Sequence, residues 1–222
     1  MAPIGTLYGV GYQRQTTIIK AAAAIGGLEL NYVEVKMGET NKSPEYLEKF
    51  PQGKVPGFES ANGFKVTEGL AIANYVASLA PESGLRGKNT EEAAEIEQWT
   101  HFTESEVQVS TDFSHVLTMG FLPGYPKELH QFLLERQYKS FEHLESTLGT
   151  REYLVGGRLT IADLTLAASL KRAFKVTLGA SERAKYPKTI AYFEKIHSHE
   201  KLKEVYGEVE FAETPAQYKG SA

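Results

Sequence analysis

Gly53-Lys54-Val55-Pro56-Gly57-Phe58, followed by Val66-Thr67-Glu68-Gly69-Leu70-Ala71-Ile72, joins a turn proline, a short hairpin and an acidic residue at the mouth of a helix. Proline fixes φ and removes a backbone donor, and an X-Pro bond is the common place for a cis peptide. Such a bend turns the polar main chain of Val55 outward, where an extended peptide can pair with it like an added strand. Thr67-Glu68 then opens a helix, whose free N–H groups and dipole attract a carboxylate. Glu68 itself can hold an ammonium. The segment implies a small peptide carrying both an ammonium and carboxylates.

Upstream, Thr6-Leu7-Tyr8-Gly9-Val10 reads as a strand. Thr16 or Thr17 is expected to cap a helix through Ile18, Ile19 and Ala21 to Ala24, which Gly26-Gly27 ends in the left-handed manner. Val33 and Val35 alternate with polar neighbours, a second strand signal. Strand, helix, strand favours a parallel pair with a right-handed crossover. Ser43 to Phe50 predicts a short helix, with Pro44 suited to its first turn. Asn62-Gly63 marks a hairpin between 55–59 and 64–67. Leu70, Ile72, Ala73, Val76 and Leu79 form a helical apolar stripe.

Strand signals fade beyond this point. Pro81, Gly84, Gly87 and Asn89 mark residues 81–90 as an interdomain linker between units at 1–80 and 91–222. Thr90 with Glu91 and Glu92 is expected to start a long helix, interrupted over Gly120 to Pro126 by Pro123 and Gly124. Lys127 to Leu148 is helical in spacing and stops at Gly149. In Leu159-Thr160-Ile161-Ala162-Asp163, Thr160 and Asp163 look like a capping box, with Leu159 and Leu164 as its hydrophobic staple. That reading is structural, a cap that starts a core helix. Pro187 opens a further helix, and Thr214 to Ala222 reads as a frayed tail.

The 222 residues carry a formal net charge of −4, 41% hydrophobic and 23% charged residues. These are ordinary values for a globular chain and give no electrostatic case for nucleic acid or an anionic membrane. No apolar run reaches the ~20 residues needed to span a bilayer, and Met1-Ala2-Pro3-Ile4-Gly5 lacks a signal-peptide pattern. There are no cysteines, which excludes disulfides, cysteine nucleophiles and redox dithiol chemistry and fits a cytoplasmic protein. The histidines show no metal spacing; His197 and His199 face apart on a helix.

The proline bend, the Thr67-Glu68 helix start and the Leu159 to Asp163 motif, in this order, resemble the cytosolic glutathione transferases over nearly the whole chain. Gly5-Thr6-Leu7-Tyr8, Trp99 and Val209-Glu210-Phe211-Ala212 are most similar to the glutathione-transferase-like domain of elongation factor 1B gamma and its free-standing fungal relatives. The resemblance implies an α/β plus all-α architecture: a thioredoxin-like N-terminal domain, then an all-helical domain holding the electrophile pocket and the dimer contact. It implies glutathione as cosubstrate, a small hydrophobic electrophile, a homodimer, and no metal, nucleic acid or membrane partner. The activity implied is conjugation of the glutathione thiolate, or peroxide reduction by it.

By resemblance, the main chain of Val55 would pair with the cysteinyl part, Pro56 would be cis, Glu68 would meet the γ-glutamyl ammonium and Lys54 would lie near the glycyl carboxylate. Gly69 stands where serine or threonine usually helps hold the γ-glutamyl carboxylate, so a hydrogen bond worth ~1 kcal/mol would be missing. A thiol of pKa about 8.5 needs a donor or positive charge beside it to ionise at neutral pH. With no cysteine, and no serine between Leu7 and Ile25, the candidates in order are Arg14, Tyr12 and Thr16. Tyr8 belongs inside the strand. The alternative reading is a non-catalytic interaction module of the elongation-factor kind. Gly69 and the missing thiol helper favour it; the lack of a further domain or lysine-rich linker favours a stand-alone enzyme.

Overall fold

Leu7 and Phe58 face each other across two strands and are both fully buried, which fixes the centre of a four-stranded sheet. The strands are β1 (Gly5–Gly9), β2 (Asn31–Glu34), β3 (Gly57–Ser60) and β4 (Lys65–Thr67), in the order β2-β1-β3-β4. β1 runs parallel to β2, while β3 is antiparallel to both β1 and β4. The parallel pair needs a crossover, supplied by α1 (Arg14–Gly26). After α2 (Pro44–Lys49) and the β3–β4 hairpin, α3 (Gly69–Ser78) packs on α1. Ile18, Ile19, Ile72, Ala73 and Val76 are fully buried with Leu7 and Phe58, each large side chain contributing ~1.5–3 kcal/mol by leaving water. Tyr46 and Phe50 join Val35 in a second cluster, against which Tyr8 and Val55 pack.

Local chemistry explains the boundaries. Ser43 accepts the Tyr46 N–H at 3.2 Å and Pro44 follows it, so α2 begins as its sequence predicts. Gly27, at φ 65°, ends α1. The start of α1 departs from expectation. The helix begins at Arg14, and Gln13 precedes it without a side-chain cap. Thr17 is already inside the helix and donates its hydroxyl to the Gln13 carbonyl at 3.2 Å, the back-bond open to a helical threonine. Thr16 is fully buried beside Gly9, where a Cβ at position 9 would lie 2.6 Å from its Oγ1.

The computed structural model describes residues 2–122 and 124–218, so Pro123 lies outside the described residues. It falls into two units: the chain up to Arg86 together with Glu200–Tyr206, and Gly87–His199 with the chain from Gly207. The second unit holds α4 (Thr90–Phe102), α5 (Val109–Thr118), α6 (Lys127–Leu148), α7 (Ile161–Val176), α8 (Ala180–Arg183) and α9 (Pro187–His197). Asn89 caps α4, accepting the Glu92 N–H at 2.8 Å. The Glu92 carboxylate accepts from Arg158 and from the Lys88 N–H, which hold its pKa down to about 2. A π-helical turn, Thr103–Gln108, joins α4 to α5. Arg136 forks onto Glu106 of that turn with two 2.9 Å bonds.

α7 is buried nearly all round and forms the centre of this unit. The capping box at its start is formed. Asp163, fully buried, accepts from the Thr160 N–H (2.7 Å) and hydroxyl (2.8 Å), the Leu154 N–H (2.9 Å) and the Tyr192 hydroxyl (2.7 Å). Burial pushes its pKa up, while these four donors pull it back.

The described part of the C-terminal tail is not frayed. The Ala216 N–H donates to the Val176 carbonyl at 2.7 Å, and Tyr218 donates its hydroxyl to the Tyr125 carbonyl at 3.1 Å. Residues 219–222 lie outside the described residues. A last short helix, α10 (Lys203–Tyr206), belongs to the first unit and packs on α1. Among the described residues no helix is long and apolar enough to cross a membrane.

Candidate functional site

Gly53 and Lys54 are held from beneath before the bend begins. The buried amide of Asn41 donates to the Gly53 carbonyl at 2.7 Å and accepts the Gly38 N–H at 2.6 Å. The hydroxyl of buried Tyr46 donates to the Lys54 carbonyl at 2.7 Å, and burial pushes its pKa up to about 12, so it remains a donor. The Val55–Pro56 peptide is cis. Among the described residues the N–H and C=O of Val55 take no backbone partner.

Across the cleft, Glu68 has φ 68° and ψ 117°, the sole non-glycine positive φ among the described residues. It precedes the first turn of α3, and its side chain makes no cap hydrogen bond. The carboxylate is therefore free to face a ligand, and the first-turn N–H groups keep the open donors of any helix start. The cleft has a volume of about 220 Å³ and is lined by Lys54, Val55, Pro56, Glu68 and Gly69, with Gln15, Gln52, Phe50 and Thr67 beside them. Its polar side-chain groups are thus one ammonium, one carboxylate, two amides and one hydroxyl, around an unpaired stretch of main chain. That set matches a zwitterionic peptide in charge and in hydrogen bonding.

All five residues expected to hold a peptide come together here. The three expected to assist a thiol do not line this cleft. Arg14 is buried at the first position of α1. Tyr12 is 84% exposed in the loop before that helix, and Thr16 is closed off against Gly9. The Tyr12 loop is tied to the sheet by Glu34, whose carboxylate accepts the Gly11 N–H at 3.2 Å and the Tyr32 hydroxyl. These bonds hold the Glu34 carboxyl below its ordinary range. Tyr8 lies in β1 and accepts a hydrogen bond from Lys49 at 3.2 Å.

Sequence reasoning missed Asn41, Tyr46 and Gln15. The first two leave no motif, because they act through carbonyl groups that every residue has. Gln15 had one available signal, Gly69, since a side chain absent at one helix start leaves room for another.

A family model described as the glutathione S-transferase N-terminal domain matches residues 3–78, and one for the C-terminal domain matches residues 109–200. The chain belongs to the glutathione S-transferase family. The glutathione S-transferase-like protein LUC7 of Fusarium sp is 38% identical over 213 residues, 93% of this chain and 94% of that protein. Elongation factor 1-gamma of Homo sapiens is 34% identical over 220 residues, 96% of this chain. The transferase-like chain spans about half of that relative, 49% of its length. Among solved structures, the GST-like domain of elongation factor 1-gamma from Saccharomyces cerevisiae superposes with a TM-score of 0.86 at 24% identity, covering 98% of this chain and all of that one. The glutathione transferase URE2P6 from Phanerochaete chrysosporium, solved in complex with oxidized glutathione, gives 0.83 at 21%, covering 92% and 96%. At these identities the superpositions show the fold: a thioredoxin-like domain and a helical transferase domain.

Proposed function

We propose that this protein is a glutathione transferase of the cytoplasm, binding glutathione in the cleft between Val55 and Glu68. The observation that carries the reading is the unpaired Glu68 carboxylate beside the open first turn of α3, across from the unpaired main chain of Val55. Glu68 takes the γ-glutamyl ammonium, the α3 N–H groups take the neighbouring carboxylate, Val55 pairs with the cysteinyl main chain and Lys54 takes the glycyl carboxylate.

The chemistry is ionisation of the thiol, with its proton passed to water. The thiolate then attacks an electrophilic carbon of a small hydrophobic molecule, forming the C–S bond as the leaving group departs with its electron pair. With a hydroperoxide, two glutathione molecules give the disulfide, the alcohol and water. Arg14, a buried guanidinium at the start of α1, is the proposed partner of the thiolate; a guanidinium stays charged through any working pH. Tyr12 and Thr16 rank behind it, Tyr12 for its exposure and Thr16 for its enclosure. By analogy with its family the chain is proposed to act as a two-fold homodimer, sedimenting at about twice 24.6 kDa; sedimentation at the single-chain mass contradicts that.

A second reading has its own support. The likeness to elongation factor 1-gamma, and the absence of all three thiol candidates from the cleft lining, favour a transferase fold kept as an interaction module. Turnover of a chlorodinitrobenzene-type electrophile separates the two. The transferase reading expects turnover that falls at least ~10²-fold in Arg14→Ala, the scale of losing a positioned charge at a reacting centre. Glutathione binding with no turnover of electrophile or peroxide favours the module.

A further inference from the structure

The first turns of α1 and α3 meet at one point. A Cβ built on Gly69 would lie 2.5 Å from both Cβ and Cγ of Gln15, far inside contact distance. Position 69 is therefore bare because Gln15 occupies the space that its side chain would take. Gln15 is half-buried, lines the same cleft as Glu68, and among the described residues its side-chain amide makes no hydrogen bond. A glutamine held by its stem and left unpaired at its tip is a donor without a protein acceptor.

We propose, resting on the glutathione reading above, that Gln15 is a specificity-determining residue of the cleft. Its amide N–H₂ donates to the α-carboxylate of the γ-glutamyl group and supplies the hydrogen bond that Gly69 cannot. The chemistry assigns the partner. Gln15 stands at the start of α1 and beside the start of α3, and both helix N-termini favour an anion. Glu68, next in the chain to Gly69, favours the ammonium on the same carbon. Together these groups read an α-amino-acid head: carboxylate toward Gln15 and the α3 N–H groups, ammonium toward Glu68. The pair Gln15 and Gly69 thus does by a long amide from one helix what a short hydroxyl at position 69 would do from the other.

The test is a binding cycle by calorimetry on the whole chain: wild type, Gln15→Met, Gln15→Gly, Gly69→Ser, and Gln15→Gly with Gly69→Ser. Gln15→Met keeps the stem and the packing and removes the donor. It is expected to weaken glutathione about tenfold, the scale of one hydrogen bond to a charged group. Gly69→Ser alone weakens binding, because its Cβ displaces Gln15. The double variant recovers affinity to within a few-fold of wild type, since the serine fits once position 15 carries no Cβ, its Cα then being the nearest atom at 3.4 Å. That outcome is non-additive, as contacting residues require.

A second ligand isolates the contact. With 4-aminobutyryl-cysteinylglycine, which keeps the ammonium and lacks the α-carboxylate, Gln15→Met is expected to bind as wild type does. Equal loss for both ligands would mean a packing role and overturn the proposal. So would wild-type affinity in Gln15→Met, or a double variant as weak as the two single losses multiplied. If wild type binds glutathione and Gln15→Met is unchanged, only the role of Gln15 falls. If wild type does not bind at all, the glutathione reading falls with it.

Discussion

Glu68 sits at φ 68° and ψ 117°, a conformation that costs a non-glycine residue about 1–3 kcal/mol. The fold tolerates it where a carboxylate faces the cleft. Glu68→Gly relieves that strain and gives back about 0.4–1 kcal/mol through the freer unfolded chain. The variant is expected to gain about 1 kcal/mol in urea unfolding while losing glutathione affinity. A variant both less stable and unchanged in binding would contradict this account of the residue. At this scale the sequence is legible where a residue type carries backbone chemistry: Pro56, Gly69 and the carboxylate of Glu68 are all readable in place. Gln15 and Asn41 are not, because an amide has many uses and its reach depends on which helix start lies beside it.

The elements follow their local signals closely where caps and turns decide, as at Ser43-Pro44, Gly27, Asn62-Gly63 and Pro187. They depart where a stronger neighbour competes. Thr16 and Thr17 are good caps, yet α1 begins before them, with Arg14 and Thr16 both buried. Asn89 takes the capping role next to Thr90 because its amide oxygen reaches the Glu92 N–H. At the start of α7, Thr160 and Asp163 show how much one cap can hold. Asp163→Ala removes four hydrogen bonds from a fully buried site and strands donors on Leu154, Thr160 and Tyr192. The expected loss is about 3–5 kcal/mol, among the largest for a single change. A free energy of urea unfolding lowered by under about 1 kcal/mol would show that the cap is not what anchors α7.

On the scale of the whole chain, two periods in the sequence predict two units: alternating strands with one crossover, then helices alone. Both are present; the first runs on to Arg86, past the point near residue 80 where strand signals stop. The return of Glu200–Tyr206 to the first unit is not legible. It depends on α10 meeting α1, a contact between segments far apart in sequence, helped by Lys201 reaching the Ile25 carbonyl at 3.5 Å. The tail beyond it is likewise a matter of tertiary pairing, with Tyr218 on Tyr125 rather than any propensity of its own.

The central claim is that glutathione binds in the cleft of the first unit through Glu68. Calorimetric titration of the intact protein with reduced glutathione, repeated on Glu68→Ala, tests it most directly. The account predicts saturable binding by wild type and an affinity at least ~10-fold weaker in the variant, the scale of losing a charged partner to an ammonium. Binding that survives Glu68→Ala unchanged, or no binding at millimolar glutathione, would contradict it.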